Sequence, residues 1–248
     1  MCLKGKIALV TGASRGIGKA IGSAFALEGA SVAVCARNKD ELDRVSKEID
    51  PLALSLTCDV TLESEVRQFV HEVHGHFGKI DILINNAGDT ASSLLREMDS
   101  DLWNRVLSVN LTGVFLMTRE VLAFMTNQQY GRIVNLASMA AKRGSRYLSA
   151  YSAAKHGVLG FTQSVALEVV ESGVMVNAVC PGYVDTPGQK DNIEKMMTDR
   201  GLRAHEVRAL MAQKNARRRF ITMDEVAQTV LSLSEEGVNI TGQAVDLW

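Results

Sequence analysis

The chain has 248 residues, of which 46% are hydrophobic and 22% are charged, a composition typical of a soluble globular protein. Its formal net charge of −1 provides no basic field that would attract nucleic acid, so we expect no nucleic-acid partner. The four cysteines form no C-x-x-C pair and the five histidines show no metal-ligand spacing. We therefore expect no metal and a reducing compartment.

Short apolar runs alternate with amphipathic stretches along the chain. The runs predict strands at residues 7–10, 31–36, 52–58, 80–84, 132–136, 174–179 and 243–247, and the stretches predict helices at residues 16–28, 39–49, 62–77, 99–125, 149–171, 192–215 and 223–234. Continuously apolar strands favour a parallel sheet buried on both faces. Sustained strand–helix alternation predicts an α/β fold, with a doubly wound, seven-stranded parallel sheet and helices on both faces.

No linker, repeat or low-complexity tract divides the chain, so residues 1–248 are expected to form one domain. The first residues run directly into a strand without a signal peptide, and no apolar stretch is judged long enough to span a membrane. These features predict a cytoplasmic location without a membrane partner.

A glycine-rich segment follows the first predicted strand and opens the first predicted helix. It reads Thr11-Gly12-Ala13-Ser14-Arg15-Gly16-Ile17-Gly18. Glycines let the chain turn tightly and bring backbone N–H groups close to a phosphate, and the helix N-terminus adds partial positive charge. The segment therefore predicts a dinucleotide site, with an ordinary strand–helix turn as the alternative.

The end of the second predicted strand indicates which dinucleotide is bound. An acidic residue there favours NAD because it accepts a hydrogen bond from the free ribose 2′-hydroxyl. This chain instead has Ala36-Arg37-Asn38, and the guanidinium groups of Arg15 and Arg37 suit a 2′-phosphate. We predict NADP(H); the alternative is that Arg37 is merely solvated.

Tyr151 and Lys155 lie four residues apart on a predicted helix and therefore share one face. Ser138 ends the fifth apolar run, 13 residues before Tyr151. An ammonium group beside a phenol favours the phenolate and lowers the phenol's pKa, which suits Tyr151 to acid–base catalysis. Ser138 is expected to donate to a carbonyl oxygen. Taken singly, each residue also has a purely structural interpretation: Tyr151 as a half-buried helix tyrosine, Lys155 as a surface lysine and Ser138 as a helix cap.

Together these motifs resemble the short-chain dehydrogenase/reductase family, from residue 6 to residue 246. The matching features are Thr-Gly-x-x-x-Gly-x-Gly, Asn85-Asn86-Ala87-Gly88, Ser138, and Tyr151 followed by Lys155. The resemblance implies a Rossmann-type fold and an enzyme that moves a hydride between NADP(H) and a carbonyl or secondary alcohol. It also implies a substrate lid at about residues 188–221, which we expect to order on binding.

The resemblance assigns roles to individual residues. The implied catalytic residues are Asn110, Ser138, Tyr151 and Lys155, with Asn110 ordering a water that links Lys155 to solvent. The implied cofactor-binding residues are Gly12, Ser14, Arg15, Gly16, Ile17, Gly18, Arg37, Asn38, Asp59, Val60, Asn86, Ala87, Gly88, Tyr151, Lys155, Pro181, Gly182, Val184 and Thr186.

The chain looks closest to 3-oxoacyl reductases, 3-hydroxyacyl-CoA dehydrogenases and polyketide ketoreductases, which implies a small-molecule carbonyl or acyl-thioester substrate. A small ketone or a steroid-like alcohol is the alternative substrate, and a catalytically silent nucleotide-binding regulator is the alternative of another class. A homo-oligomer, tetramer or dimer, is implied. Leu247-Trp248 stands where the family usually has Gly-Gly, so the sequence does not decide whether the C-terminal tail takes part in subunit contacts.

Overall fold

The structure, a computed structural model, describes the backbone of residues 2–248 and all of their side chains except those of residues 190–192, 195, 199 and 200. The strands of the described chain form one parallel sheet in the order β3-β2-β1-β4-β5-β6-β7. Their bounds are β1 Ile7–Thr11, β2 Ser31–Ala36, β3 Leu54–Thr57, β4 Ile82–Asn85, β5 Gly131–Leu136, β6 Val174–Pro181 and β7 Ala244–Leu247. The strand order reverses between β1 and β4, which places a ligand crevice at their carboxyl ends.

Helices cover both faces of the sheet, so the predicted doubly wound, Rossmann-type fold is confirmed. Their bounds are α1 Gly16–Leu27, α2 Lys39–Ile49, α3 Glu63–Phe77, α4 Ser100–Leu107, α5 Gly113–Asn127, α6 Ser149–Val169, α7 Gln189–Arg200, α8 Ala204–Ala212 and α9 Met223–Ser232. Successive strand residues point to opposite faces. Val10 accordingly packs with α1, α2 and α9, whereas Leu9 packs with α3, α5 and α6.

Two predicted helices differ from those observed. The helix predicted at residues 99–125 consists of α4 and α5 joined by a π-helical turn, Ser108–Thr112, a local widening that often occurs at functional sites. The helix predicted at residues 192–215 is divided into α7 and α8. The division occurs because Gly201 adopts a left-handed conformation, with φ 63°, and ends α7.

The α4–α5 helix corrects our expectation about membrane-length segments. By length and composition alone, Ser100–Asn127 is long and apolar enough to cross a membrane. Its most apolar window is 44% buried inside the protein, and Met117, Val121 and Met125 are fully buried against the sheet. A core helix of a globular protein has these same properties, so the segment is only weak evidence for a membrane span.

The predicted lid is an excursion between β6 and α9 with a small core of its own. Val184 forms a parallel bridge with Ile221 at the base of this excursion. Above the bridge, Ile193, Val207 and Met211 are buried against one another. Ordering of this segment on ligand binding stays a prediction.

Candidate active site

A cavity of about 500 Å³ lies at the carboxyl ends of β1 to β4. The predicted cofactor residues that line it are Gly12, Ser14, Arg15, Gly16, Ile17, Arg37, Asn38, Asp59, Val60, Asn86, Ala87, Gly88 and Thr186. The lining residues that the sequence did not predict are Ala36, Glu41, Cys58, Val109, Pro187 and Gly188. Most of these adjoin a predicted position along the chain, so the motifs located the cavity but not its full wall.

The three glycines of the first loop have different structural roles. A Cβ atom at Gly12 would lie 2.8 Å from Ala87 Cα, and one at Gly18 would lie 2.5 Å from Asn86 Nδ2, so both positions serve close packing. Gly18 is therefore a support of the loop and not part of the cavity wall. Gly16 has φ +59° and faces open space, which leaves room for a ligand at the start of α1.

The N-terminus of α1 suits a pyrophosphate. Arg15 occupies the N-cap position of α1, and its side chain forms no capping hydrogen bond. The first N–H groups of a helix have no partner within the helix, and they are commonly satisfied by phosphate oxygens. The open face at Gly16 and these donors together fit the phosphates of a dinucleotide.

Asn86 holds the glycine loop in place. Its Nδ2 donates to the carbonyl oxygens of Thr11 at 2.9 Å and Gly12 at 3.0 Å. In return, Thr11 Oγ1 accepts from the backbone N–H groups of Asn86 and Ala87, each at 3.0 Å. Thr11 was visible in the motif but was not among the predicted site residues. It links β1 and β4 at the switch point.

Positive charge is available at the adenosine end of the cavity. Arg15 and Arg37 are exposed, and neither forms an ion pair within the part of the chain that the structure describes. Asn38 Oδ1 accepts from Glu41 N at 3.1 Å and so caps α2. Asp59, after β3, accepts from Thr61 N at 2.9 Å, which fixes its carboxylate beside the cavity.

Ser138, Tyr151 and Lys155 come together past the carboxyl end of β5. Ser138 Oγ accepts from Ala140 N at 3.1 Å, which leaves its hydroxyl hydrogen available, and the hydroxyl acts to lower the pKa of the nearby Tyr151 phenol. Lys155 Nζ lies 5.7 Å from the centre of the Tyr151 ring and donates to Leu136 O at 2.7 Å. The predicted trio therefore forms one cluster.

The electrostatics of this cluster correct one expectation. Loss of water raises the pKa of Tyr151 above its usual 10, and hydrogen bonds with Ser138 and Thr90 act in the opposite direction. Desolvation also lowers the pKa of Lys155 to about 8. The expected lowering of the Tyr151 pKa by Lys155 is not seen here, because burial raises the pKa of the phenol and the Lys155 ammonium donates to Leu136 O.

Asn110 lies in the π-helical turn and is fully buried. Its Nδ2 donates to Asp89 O at 2.7 Å and Val106 O at 2.9 Å. A Cβ atom at Gly88 would lie 3.0 Å from Asn110 Oδ1 and 3.8 Å from Lys155 Nζ. The glycine thus leaves a small gap between the amide oxygen and the ammonium group, where the cavity meets the catalytic cluster.

The Pro181-Gly182 segment, predicted to contact the cofactor, does not line the described cavity. Gly182 N donates to Leu247 O at 2.8 Å. A Cβ atom at Gly182 would collide with Asn215 Oδ1 and would lie 2.7 Å from Trp248 Cβ. Val184 is buried in the core and its side chain does not reach the cavity, so its predicted cofactor contact is not seen.

Asn215 is a structural residue that the sequence did not single out. Its Nδ2 donates to Tyr183 O at 3.0 Å and Arg219 O at 2.7 Å, and its Oδ1 accepts from Tyr183 N at 2.9 Å. The side chain is 2% exposed. It therefore ties together the two ends of the lid segment.

Among the described residues, no group of three His, Cys, Asp or Glu side chains is placed to hold a metal ion.

Three comparisons with known proteins extend these observations. A sequence profile described as short chain dehydrogenase matches residues 6–197. A putative ketoacyl reductase of Streptomyces coelicolor is 37% identical over 98% of this chain and 95% of its own. The 3-oxoacyl-[acyl-carrier-protein] reductase FabG of Thermotoga maritima is 37% identical over 100% of this chain and 98% of its own. The crystal structure of a point variant of actinorhodin polyketide ketoreductase with NADPH superposes with a TM-score of 0.93 at 38% identity, covering 97% of this chain and 95% of that chain.

Proposed function

The chain belongs to the short-chain dehydrogenase family, and from this premise we propose that it is an NADPH-dependent reductase of 3-oxoacyl thioesters or related β-keto compounds. The family and its ketoacyl reductase relatives support an oxidoreductase that acts on keto groups. The observation that carries the proposal is the cluster of Ser138, Tyr151 and Lys155 next to a dinucleotide-sized cavity.

The residues of the cluster divide the work of carbonyl reduction. The chemistry that a bound nicotinamide supplies is a hydride to the carbonyl carbon. Ser138 donates a hydrogen bond to the carbonyl oxygen, which holds the substrate and stabilises the charge that develops there. Tyr151 gives its phenolic proton to the same oxygen as it becomes an alkoxide.

Tyr151 holds a proton to give in this direction of reaction. An ordinary phenol, with a pKa of about 10, is protonated at neutral pH, and burial raises the pKa of Tyr151 further, so the proton is present when the carbonyl is reduced. Lys155, with a pKa of about 8, carries the proton that restores the phenol. Asn110 stands across the gap at Gly88 from Lys155, which supports the proposed relay of protons from solvent.

NADPH is favoured over NADH because Arg15 and Arg37 present two guanidinium groups at the adenosine end of the cavity. Guanidinium groups pair with phosphate through charge-assisted hydrogen bonds. The strand-end position that would select NADH with a carboxylate is occupied by Arg37 instead. The ketoreductase with the similar fold was crystallised with NADPH.

The choice of 3-oxoacyl thioesters rests on the relatives, several of which are named ketoacyl or 3-oxoacyl reductases. The test is the rate of NADPH oxidation with acetoacetyl-CoA and, in parallel, with simple and cyclic ketones of similar size. The proposal expects a higher kcat/KM for the thioester. A clear preference for a cyclic or steroid-like ketone would contradict the proposed substrate but not the proposed carbonyl reduction. No turnover with any ketone would favour a silent nucleotide-binding regulator.

We also propose a cytoplasmic enzyme that forms a homo-oligomer. The support for assembly is the outer surface of α5 and α6 with the turn that follows, where Phe115, Leu167 and Val170 are 39%, 80% and 46% exposed. Large apolar side chains that a monomer leaves exposed are available for subunit contacts. Light scattering of the purified protein tests this: a stable monomer would exclude it.

A further inference from the structure

The turn that carries Ser138 ends in an arginine that none of the motifs includes. Ser138 caps a single 3-10 turn, Met139–Ala141, and all three residues of that turn are buried. Ser138 O accepts from Ala141 N at 2.8 Å, and Met139 O accepts from Arg143 N at 3.3 Å. The closed turn fixes the backbone from which the Ser138 hydroxyl projects, and the backbone of Arg143 is part of its closure.

The Arg143 guanidinium joins this turn to the end of the lid. On one side its Nη2 contacts the sulfur of Met139, the residue directly after Ser138. On the other side Nη2 donates to Lys214 O at 3.0 Å. Lys214 precedes Asn215, whose buried amide ties together the two ends of the lid segment. One guanidinium group therefore connects the turn to an anchored part of the lid.

An aromatic ring and a second cation hold the same corner of the site. Arg143 Cζ lies 5.9 Å from the centre of the Trp248 ring, which is within the range of a cation–π contact. Trp248 stands where the family usually has glycine, so this contact departs from the family pattern. Lys142 Nζ pairs with Asp246 on β7 at 3.2 Å. The end of the turn is thus held towards β7 as well as towards the lid.

We propose that Arg143 is a positioning residue that acts through Met139: its guanidinium keeps the turn closed, so that the Ser138 hydroxyl stays aimed at the carbonyl oxygen of the substrate. In this role Arg143 touches neither substrate nor cofactor and exchanges no proton. The role rests on the proposed reductase function, because Ser138 needs aim only if a carbonyl is bound beside it. The hold on the turn belongs to the free protein and is measurable without substrate.

The first test measures closure of the turn in the free protein by amide hydrogen exchange, followed by NMR. Ala140 N donates to Ser138 Oγ at 3.1 Å, and Ala141 N donates to Ser138 O at 2.8 Å, so both amides report local opening. In Arg143→Met we expect them to exchange about 10-fold faster, the effect of one hydrogen bond from a charged group at an exposed site. The amide of Ala137, which donates to Val179 O within the sheet, should exchange at its wild-type rate.

The second test is a double-mutant cycle with Ser138→Ala, measured as kcat for ketone reduction. Because a small misplacement of a catalytic group is costly, Arg143→Met should lower kcat about 10-fold when the Ser138 hydroxyl is present. In the Ser138→Ala protein the same change should cost less than about 2-fold, since no hydroxyl is left to aim. Arg143→Lys keeps the charge and one donor, so its kcat should lie between those of the wild type and Arg143→Met. The Kd for NADPH should not change, because Arg143 does not line the cofactor cavity.

Arg146→Met is the matched control for both tests. Arg146 is an exposed arginine in the same loop, but its guanidinium lies over the ring of its own neighbour Tyr147, 4.9 Å from the ring centre. Its loss should leave kcat and the exchange of the Ala140 and Ala141 amides at their wild-type values. Effects as large as those of Arg143→Met would contradict a specific role for Arg143.

The two tests separate the inference from the proposed function. Wild-type exchange of the Ala140 and Ala141 amides in Arg143→Met overturns the inference, whatever the activity. An equal loss of kcat with and without the Ser138 hydroxyl also overturns it, because that result marks a merely structural role. Faster exchange in a protein that reduces no ketone would support the hold of Arg143 on the turn and reject the reductase.

Discussion

The preference for NADPH can be tested by removing one positive charge from the adenosine end of the cavity. Arg37 is exposed and lines that cavity, and it has no ion-pair partner in the described part of the chain. Replacing it in Arg37→Gln removes the charge and keeps a polar side chain of similar reach. Because NADH lacks the 2′-phosphate, only NADPH should lose affinity.

The magnitude follows from the exposure of the site. Hydrogen bonds to charged groups contribute about 1.5–3 kcal/mol each, and exposure to solvent moves the value toward the lower end of that range. A loss of about 1.5–2 kcal/mol corresponds to a roughly 10- to 30-fold weaker Kd for NADPH. Removal of both Arg15 and Arg37 should cost less than the sum of the two single losses, since the two guanidiniums share one ligand group.

Fluorescence titration with NADPH and NADH measures both dissociation constants directly. Arg44→Gln is the matched control. Arg44, on α2, is exposed like Arg37 but does not line the cofactor cavity. The assignment of Arg37 is refuted if its loss leaves the NADPH Kd unchanged, or if NADH binding weakens to the same extent.

Two further predictions follow from the geometry and electrostatics of the site. Gly182→Ala places a Cβ atom against Asn215 and Trp248, so we expect a loss of about 1–3 kcal/mol and a lower Tm in differential scanning calorimetry. Gly75→Ala, in open space on α3, should raise Tm slightly, and equal effects of the two variants would contradict this account. For the pH dependence, a pKa of about 8 for Lys155 means that the ammonium loses its proton as the pH rises through 8. The kcat for ketone reduction should therefore be flat below that pH and fall above it, and a profile that stays flat in alkaline solution would reject Lys155 as the proton source.

The elements predicted well are those whose pattern is local. The strand at Ser31–Ala36 and the helix at Lys39–Ile49 were predicted to the residue. The strand is an unbroken apolar run, the helix has a strong amphipathic period, and Asn38 between them caps the helix. The break at Gly201 was also local, since glycine commonly ends a helix in the left-handed conformation. It was missed because the flanking stretches share a helical pattern.

Other features depend on contacts between distant residues and leave no local pattern. The π-helical turn that carries Asn110 places the amide against Asp89 O, 21 residues away. Asn215 meets Tyr183 across 32 residues. The motifs predicted which residues react, but the residues that support them emerge only from the fold.

The central claim is that the Tyr151 phenol transfers the proton in carbonyl reduction. Tyr151→Phe removes one oxygen and leaves the ring, so NADPH should bind with nearly unchanged affinity while kcat falls about 10²- to 10⁴-fold, the usual contribution of a general acid. Both quantities are measured on the same preparation, by fluorescence titration and by NADPH oxidation with the best ketone substrate. Retention of wild-type kcat by Tyr151→Phe would contradict the mechanism.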